Sequence, residues 1–160
     1  MSAPIISTGA TILVVDDERV ARRLLYRALT DEGYRVFEAA GAKEAMDVLE
    51  LAHWYVHLIM LDVVMPGVDG VELGRRILAR WPPLRLLYMS AYPAEVLVQH
   101  GLSDPHVHFL AKPFTHDELV RKVEQASDHR EPSGPRRQTG GRRAIGPERP
   151  WFDAGSTSEV

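Results

Sequence analysis

Four short apolar runs each stop at a polar residue that can do chemistry, and this pattern constrains the chain more than any other. Thr11-Ile12-Leu13-Val14-Val15 stops at Asp16-Asp17, and Leu58-Ile59-Met60-Leu61 stops at Asp62. Leu84 to Met89 stops at Ser90, and Val107 to Ala111 stops at Lys112. The first two runs are unbroken and too short for a core helix. They suit strands buried on both faces, where no wet side imposes alternation.

Between the runs the apolar period changes. Val20, Leu24 and Ala28, with Ala21, Leu25 and Leu29 beside them, recur at helical spacing and end near Gly33, a natural helix stop. Tyr34 to Glu38 reads as a second strand, and Ala42, Ala45, Met46 and Leu49 as the face of a second helix. Gly74, Ile77, Leu78 and Trp81 mark a third helix, which stops at Pro82-Pro83. A short fourth helix is expected after Pro93, closing at Gly101. Leu119, Val123 and Ala126 mark a fifth.

Five strands alternating with five helices predict an α/β doubly wound domain with a parallel sheet covered on both faces. Such sheets bind ligands beyond the carboxyl ends of their strands. Asp16, Asp17, Asp62, Ser90 and Lys112 all stand at such ends. Taken singly, each has an ordinary reading: an aspartate or serine caps a helix, and a lysine is solvated. Taken together they do not, because three neighbouring carboxylates repel unless cations compensate. Lys112 and a divalent ion would do so. Oxygen-only ligands favour a hard cation, Mg²⁺ or Mn²⁺. A carboxylate in such a setting can itself be a nucleophile toward phosphorus.

The segments Ile12 to Glu18, Leu61 to Gly70, Met89-Ser90-Ala91-Tyr92 and Phe109 to Phe114 resemble response-regulator receiver domains of two-component signalling. They are similar both to stand-alone receivers and to those of hybrid histidine kinases. The resemblance covers roughly residues 10 to 127 and implies a flavodoxin-like (βα)5 fold with strand order 2-1-3-4-5. It implies that Asp62 is the phosphoacceptor, and that Asp16, Asp17, Asp62 and the backbone carbonyl of Val64 hold Mg²⁺. It further implies that Lys112 pairs with phosphoryl oxygens, that Ser90 hydrogen-bonds the attached group, and that Phe109 is the aromatic switch. Tyr92 and Val64 would flank the phosphoryl group, and the bond between Lys112 and Pro113 would be cis. The implied donor is a sensor histidine kinase or a histidine phosphotransfer protein. The implied output is a partner, or a second copy, bound at the fourth helix, fifth strand and fifth helix.

Composition sets the outer limits. The chain has 160 residues, no cysteine and a net charge of −3. Disulfides and thiolate metal sites are thereby excluded, and nonspecific nucleic-acid binding is disfavoured. No apolar run approaches the ~18 residues of a membrane span, and Met1 to Ala10 lacks the pattern of a secretory signal. A cytoplasmic protein is expected. Residues 1–9 read as a flexible N-terminus and 10–127 as the receiver. Residues 128–160 read as a disordered tail rich in Pro, Gly and Arg, without a DNA-binding output pattern. His106 and His108 alternate but lack a third metal ligand, and Trp151-Phe152 is a candidate docking motif. Two other functions compete with this reading. A phosphohydrolase of the haloacid-dehalogenase type would need Asp-x-Asp after strand one, where this chain has Asp16-Asp17-Glu18. A degenerate, phosphate-independent receiver would not need the full set of acidic, hydroxyl and lysine residues. The chain is expected to regulate and not to turn over a separate substrate.

Overall fold

The unbroken apolar runs become the middle of a parallel sheet in the computed structural model, which describes residues 9–91 and 107–127. The strands are β1 (Thr11–Val15), β2 (Arg35–Ala39), β3 (Leu58–Asp62), β4 (Arg85–Ser90) and β5 (Val107–Ala111). Their order is β2-β1-β3-β4-β5 and every neighbouring pair is parallel. This is the doubly wound α/β arrangement expected. β1 and β3 are buried along their whole length, which is why neither alternates.

Alternate residues of each strand feed two separate cores. Leu13, Val15, Ile59, Leu61, Leu86 and Tyr88 pack with α2 (Ala42–Ala52) and α3 (Gly70–Arg80) through Ala45, Leu49, Leu73 and Ile77. Ile12, Val14, Leu58, Met60, Leu87 and Met89 pack with α1 (Arg19–Asp31) and the C-terminal helix His116–Ser127. The period of two along a strand thus sends successive side chains to opposite helical layers. No helix among the described residues is long and apolar enough to cross a membrane.

Three local features differ from the expectation. Of the two apolar rows on α1, only Leu25 and Leu29 are buried, while Val20 and Leu24 stay 66% and 62% exposed. A helix lying on a sheet buries one stripe, and the two rows together are wider than that stripe. Second, a two-residue antiparallel ribbon, Val64–Met65 with Val68–Asp69, follows β3 and turns at Gly67, whose φ is 80°. Third, a 3-10 turn, His53–Tyr55, extends α2. The expected fourth helix, the region 1–8 and the tail 128–160 lie outside the described residues.

Gly74 shows how tightly α3 sits on the sheet. A Cβ there would stand 2.8 Å from Tyr88 Cζ and collide with the phenol oxygen. Tyr88 is itself 1% exposed, and burial pushes its hydroxyl up to about 12, so the ring stays neutral and has nowhere to swing. Gly74→Ala is therefore expected to destabilise the fold by ~1–3 kcal/mol, read as a lower urea midpoint. A midpoint equal to wild type would show that α3 can lift without cost.

Candidate functional site

The parallel topology gathers the polar strand ends at one edge. β1 and β3 are adjacent, so Asp16 and Asp62 emerge side by side, and β4 and β5 bring Ser90 and Lys112 next to them. Carboxylate oxygens of Asp16, Asp17 and Asp62 lie within 4.8 Å of one another, the one such cluster of metal-capable groups among the described residues. Asp16 and Asp62 are buried and Asp17 is exposed, which leaves the cluster open on one side.

Each group is held by its neighbours. Asp16 N–H donates to the Ala39 carbonyl at 3.1 Å, and its Oδ1 accepts from the Glu18 N–H at 2.9 Å. Asp62 Oδ1 accepts from the Val64 N–H at 3.2 Å. Val63 N–H donates to the Met89 carbonyl at 3.0 Å, and Gly70 N–H to the Val63 carbonyl at 2.9 Å. Lys112 N–H donates to the Ser90 carbonyl at 2.8 Å, and the Lys112–Pro113 peptide is cis. The Lys112 Nζ stands 3.7 Å from Asp16 Oδ2 and 3.6 Å from Asp62 Oδ2. These separations are ion pairs, longer than hydrogen bonds.

The electrostatics are those of an under-neutralised acidic pocket. Burial is the main reason that the Asp62 carboxyl titrates above its ordinary value; Asp16 and Asp17 push the same way, while Lys112 and the Val64 N–H oppose them. Asp16 Oδ2 is buried with no hydrogen-bond partner. One lysine thus faces three carboxylates, and one buried acceptor is unsatisfied. A hard divalent cation held by Asp16, Asp17 and Asp62 would supply both the missing charge and the missing contact. The donor set fits Mg²⁺.

Of the other expected site residues, Ser90 is buried at the end of β4. Phe109 is partly buried, sits opposite Tyr88 in the β4–β5 ladder and packs on the α2–α3 side. The Val64 side chain is 55% exposed beside the cluster. Tyr92 and His106 lie outside the described residues, and His108 lies within β5.

The sequence reading gave no role to Gly70, which starts α3 behind the turn that follows Asp62. A Cβ at Gly70 would stand 2.7 Å from Val63 Cα and overlap the Asp62 carbonyl oxygen. The helix start is packed directly against the backbone that carries Asp62, and Asp69 caps it by accepting from the Val71 N–H at 2.9 Å. The signal available in the sequence was the Asp69-Gly70 pair closing the loop after Asp62. A groove of about 610 Å³ leads away from the pocket between α1 and the C-terminal helix, lined by Asp16, Lys112, Leu24, Leu25, Phe114 and Leu119 among others.

Comparison with known proteins gives one family throughout. The family model described as response regulator receiver domain matches residues 12–124. The chain is 34% identical over 120 residues to the sensor kinase CckA of Brucella abortus (strain 2308), covering 75% of this chain but 13% of that protein. It is 33% identical over 114 residues to sporulation initiation phosphotransferase F of Bacillus subtilis (strain 168), covering 71% of this chain and 90% of that one. Among solved structures, response regulator protein TrrA from Thermotoga maritima, in complex with Mg²⁺-BeF, aligns with a TM-score of 0.63 and 31% identity. The alignment covers 73% of this chain and 98% of that one.

Proposed function

From the response regulator receiver family, to which this chain belongs, we propose that residues 10–127 form a phosphorylation-controlled switch with Asp62 as the phosphoacceptor. The observation that carries this reading is the buried Asp62 carboxylate set between Asp16, Asp17 and the Lys112 ammonium. Asp62 must be ionised to act as a nucleophile. Lys112 favours that form against the burial that disfavours it. The Asp62 oxygen attacks phosphorus in line; the new O–P bond forms as the P–N bond of a donor phosphohistidine breaks, and the electron pair leaves with the imidazole. Lys112 meets charge on the equatorial oxygens, and the fixed Val63–Val64 turn holds the acceptor in place. Mg²⁺, when bound to Asp16, Asp17, Asp62 and the Val64 carbonyl, adds neutralising charge at the same oxygens.

The donor on this reading is a sensor histidine kinase or histidine phosphotransfer protein. The groove beside α1 supports it, since it opens at the acidic pocket and keeps Leu24 exposed. Ser90 and Phe109, with Tyr92, would relay the new dianion to the surface formed by the fourth helix, β5 and the C-terminal helix, where a protein partner or second copy binds. The activity is regulatory: the protein catalyses its own phosphorylation and dephosphorylation. The tail after residue 127 adds an Arg-rich extension with no DNA-binding pattern.

Incubation with Mg²⁺ and acetyl phosphate tests the reading. Intact mass is expected to rise by one phosphoryl group, only when Mg²⁺ is present. A mass unchanged at millimolar donor and Mg²⁺ would overturn it. Lys112→Ala is expected to bind Mg²⁺ but to gain phosphate roughly 100-fold more slowly, the usual consequence of losing one pre-placed positive group at a transferring oxyanion. A rate within a factor of two of wild type would remove Lys112 from the mechanism.

A further inference from the structure

Arg22 is a largely covered arginine on α1, engaged with backbone and carboxylate. Its side chain is 15% exposed, and its Nη1 donates to the main-chain carbonyl of Asp16 at 2.8 Å. Its Nε lies 3.4 Å from Glu38 Oε1 on β2, and Arg23 Nη1 donates to Glu38 Oε2 at 2.6 Å. Glu38 Oε1 is buried and has no hydrogen-bond partner, so the ion pair with Arg22 is its compensation. The neighbouring residue of β2, Ala39, accepts from the Asp16 N–H at 3.1 Å. Asp16 is therefore gripped through its N–H by β2, through its carbonyl by Arg22, and through Oδ1 by the Glu18 N–H. Oδ2 makes no hydrogen bond and has the Lys112 Nζ at 3.7 Å.

The geometry points to Arg22 and Glu38 as a positioning pair that aims the Asp16–Asp17 turn and so sets the affinity of the pocket for Mg²⁺. The inference rests on the metal-binding reading of the pocket. Arg22 holds the peptide of Asp16 and not its carboxylate, so it touches neither the ion nor the phosphoryl group. A planar guanidinium can bind a carbonyl and a carboxylate at once, whereas a lysine ammonium offers a single point charge. A cation placed near a metal site by itself repels the metal. A pure charge effect therefore predicts tighter Mg²⁺ binding when Arg22 is removed, and positioning predicts weaker binding. The two have opposite signs.

Calorimetric Mg²⁺ titration of the full chain, with the melting temperature measured alongside, tests this. Arg22→Met is expected to weaken Mg²⁺ binding about tenfold, the low end of what groups supporting metal ligands contribute. Glu38→Gln is expected to weaken it in the same direction, and Arg22→Lys to recover part of the loss. At saturating Mg²⁺ each variant should gain phosphate from acetyl phosphate to the wild-type extent, which a general loss of structure would not allow. Equal or tighter Mg²⁺ binding by Arg22→Met overturns the inference. If that variant does not fold, Arg22→Gln, which also removes the charge, carries the same two outcomes; Glu38→Gln does not, because losing an anion weakens Mg²⁺ binding by charge alone. Wild type that binds no Mg²⁺ overturns instead the metal reading beneath it.

Discussion

Replacing Asp62 by asparagine is expected to abolish phosphoryl gain from acetyl phosphate and, in the same protein, to raise metal-free stability. The first effect follows because an amide is not a nucleophile toward phosphorus. The second follows from the pocket. Asp62 is held above its ordinary titration range chiefly by burial, with Asp16 and Asp17 adding to it. A carboxyl whose folded pKa is raised contributes most stability below its unfolded value, near 3.9, and that contribution is lost as pH rises through the folded value. The asparagine variant escapes this loss. Without metal, its melting temperature should match wild type near pH 4 and exceed it by roughly 2–5 °C at neutral pH. The Lys112 contact, which the variant also loses, makes the gain modest. Adding Mg²⁺ should narrow or reverse the difference by stabilising the wild type. A variant less stable than wild type at neutral pH without metal would show that the Lys112 ion pairs outweigh burial and repulsion.

Among the described glycines, Gly70→Ala is expected to damage both fold and transfer, because its Cβ meets backbone and not a side chain. Its Cβ would meet the Asp62–Val63 peptide backbone, Val63 Cα at 2.7 Å and the Asp62 carbonyl oxygen. Backbone cannot rotate aside as a flexible side chain can. Either α3 lifts, breaking the Gly70–Val63 hydrogen bond and the Asp69 cap, or the Asp62–Val63 peptide moves. The first route costs about 1–3 kcal/mol of overpacking. The second misplaces the acceptor by a fraction of an ångström to an ångström, enough to slow transfer on the order of 100-fold. Denaturant midpoints and phosphorylation rates, measured well below the melting temperature, separate the routes. Wild-type values for both would refute the packing argument.

Much of the fold was legible because burial on two faces leaves a plain trace. β1 and β3 are fully apolar because each lies between two helical layers, and the strand ends were marked by Asp16, Asp62, Ser90 and Lys112. Other features left weaker traces. Val20 and Leu24 carry the same letters as Leu25 and Leu29, yet only contact with the sheet decides which row is covered. The ribbon after β3 rests on two-residue strands, too short for any period. Arg22 and Glu38 leave no local trace of their pairing, since their meeting depends on how α1 crosses the end of β2.

A doubly wound parallel sheet with polar residues at its strand ends is already written in the chain, because both facts are local consequences of hydrophobic period and of where each run stops. That three carboxylates and one ammonium share a pocket a few ångströms across follows from the folded arrangement alone. Asp16, Asp62 and Lys112 are far apart in the chain, and their distances are fixed by strand order and register, not by any local preference. The folded arrangement also sets the state of those groups. Burial and crowding raise the Asp62 titration range and leave Asp16 Oδ2 unsatisfied, and neither exists until the sheet and its helices close around them.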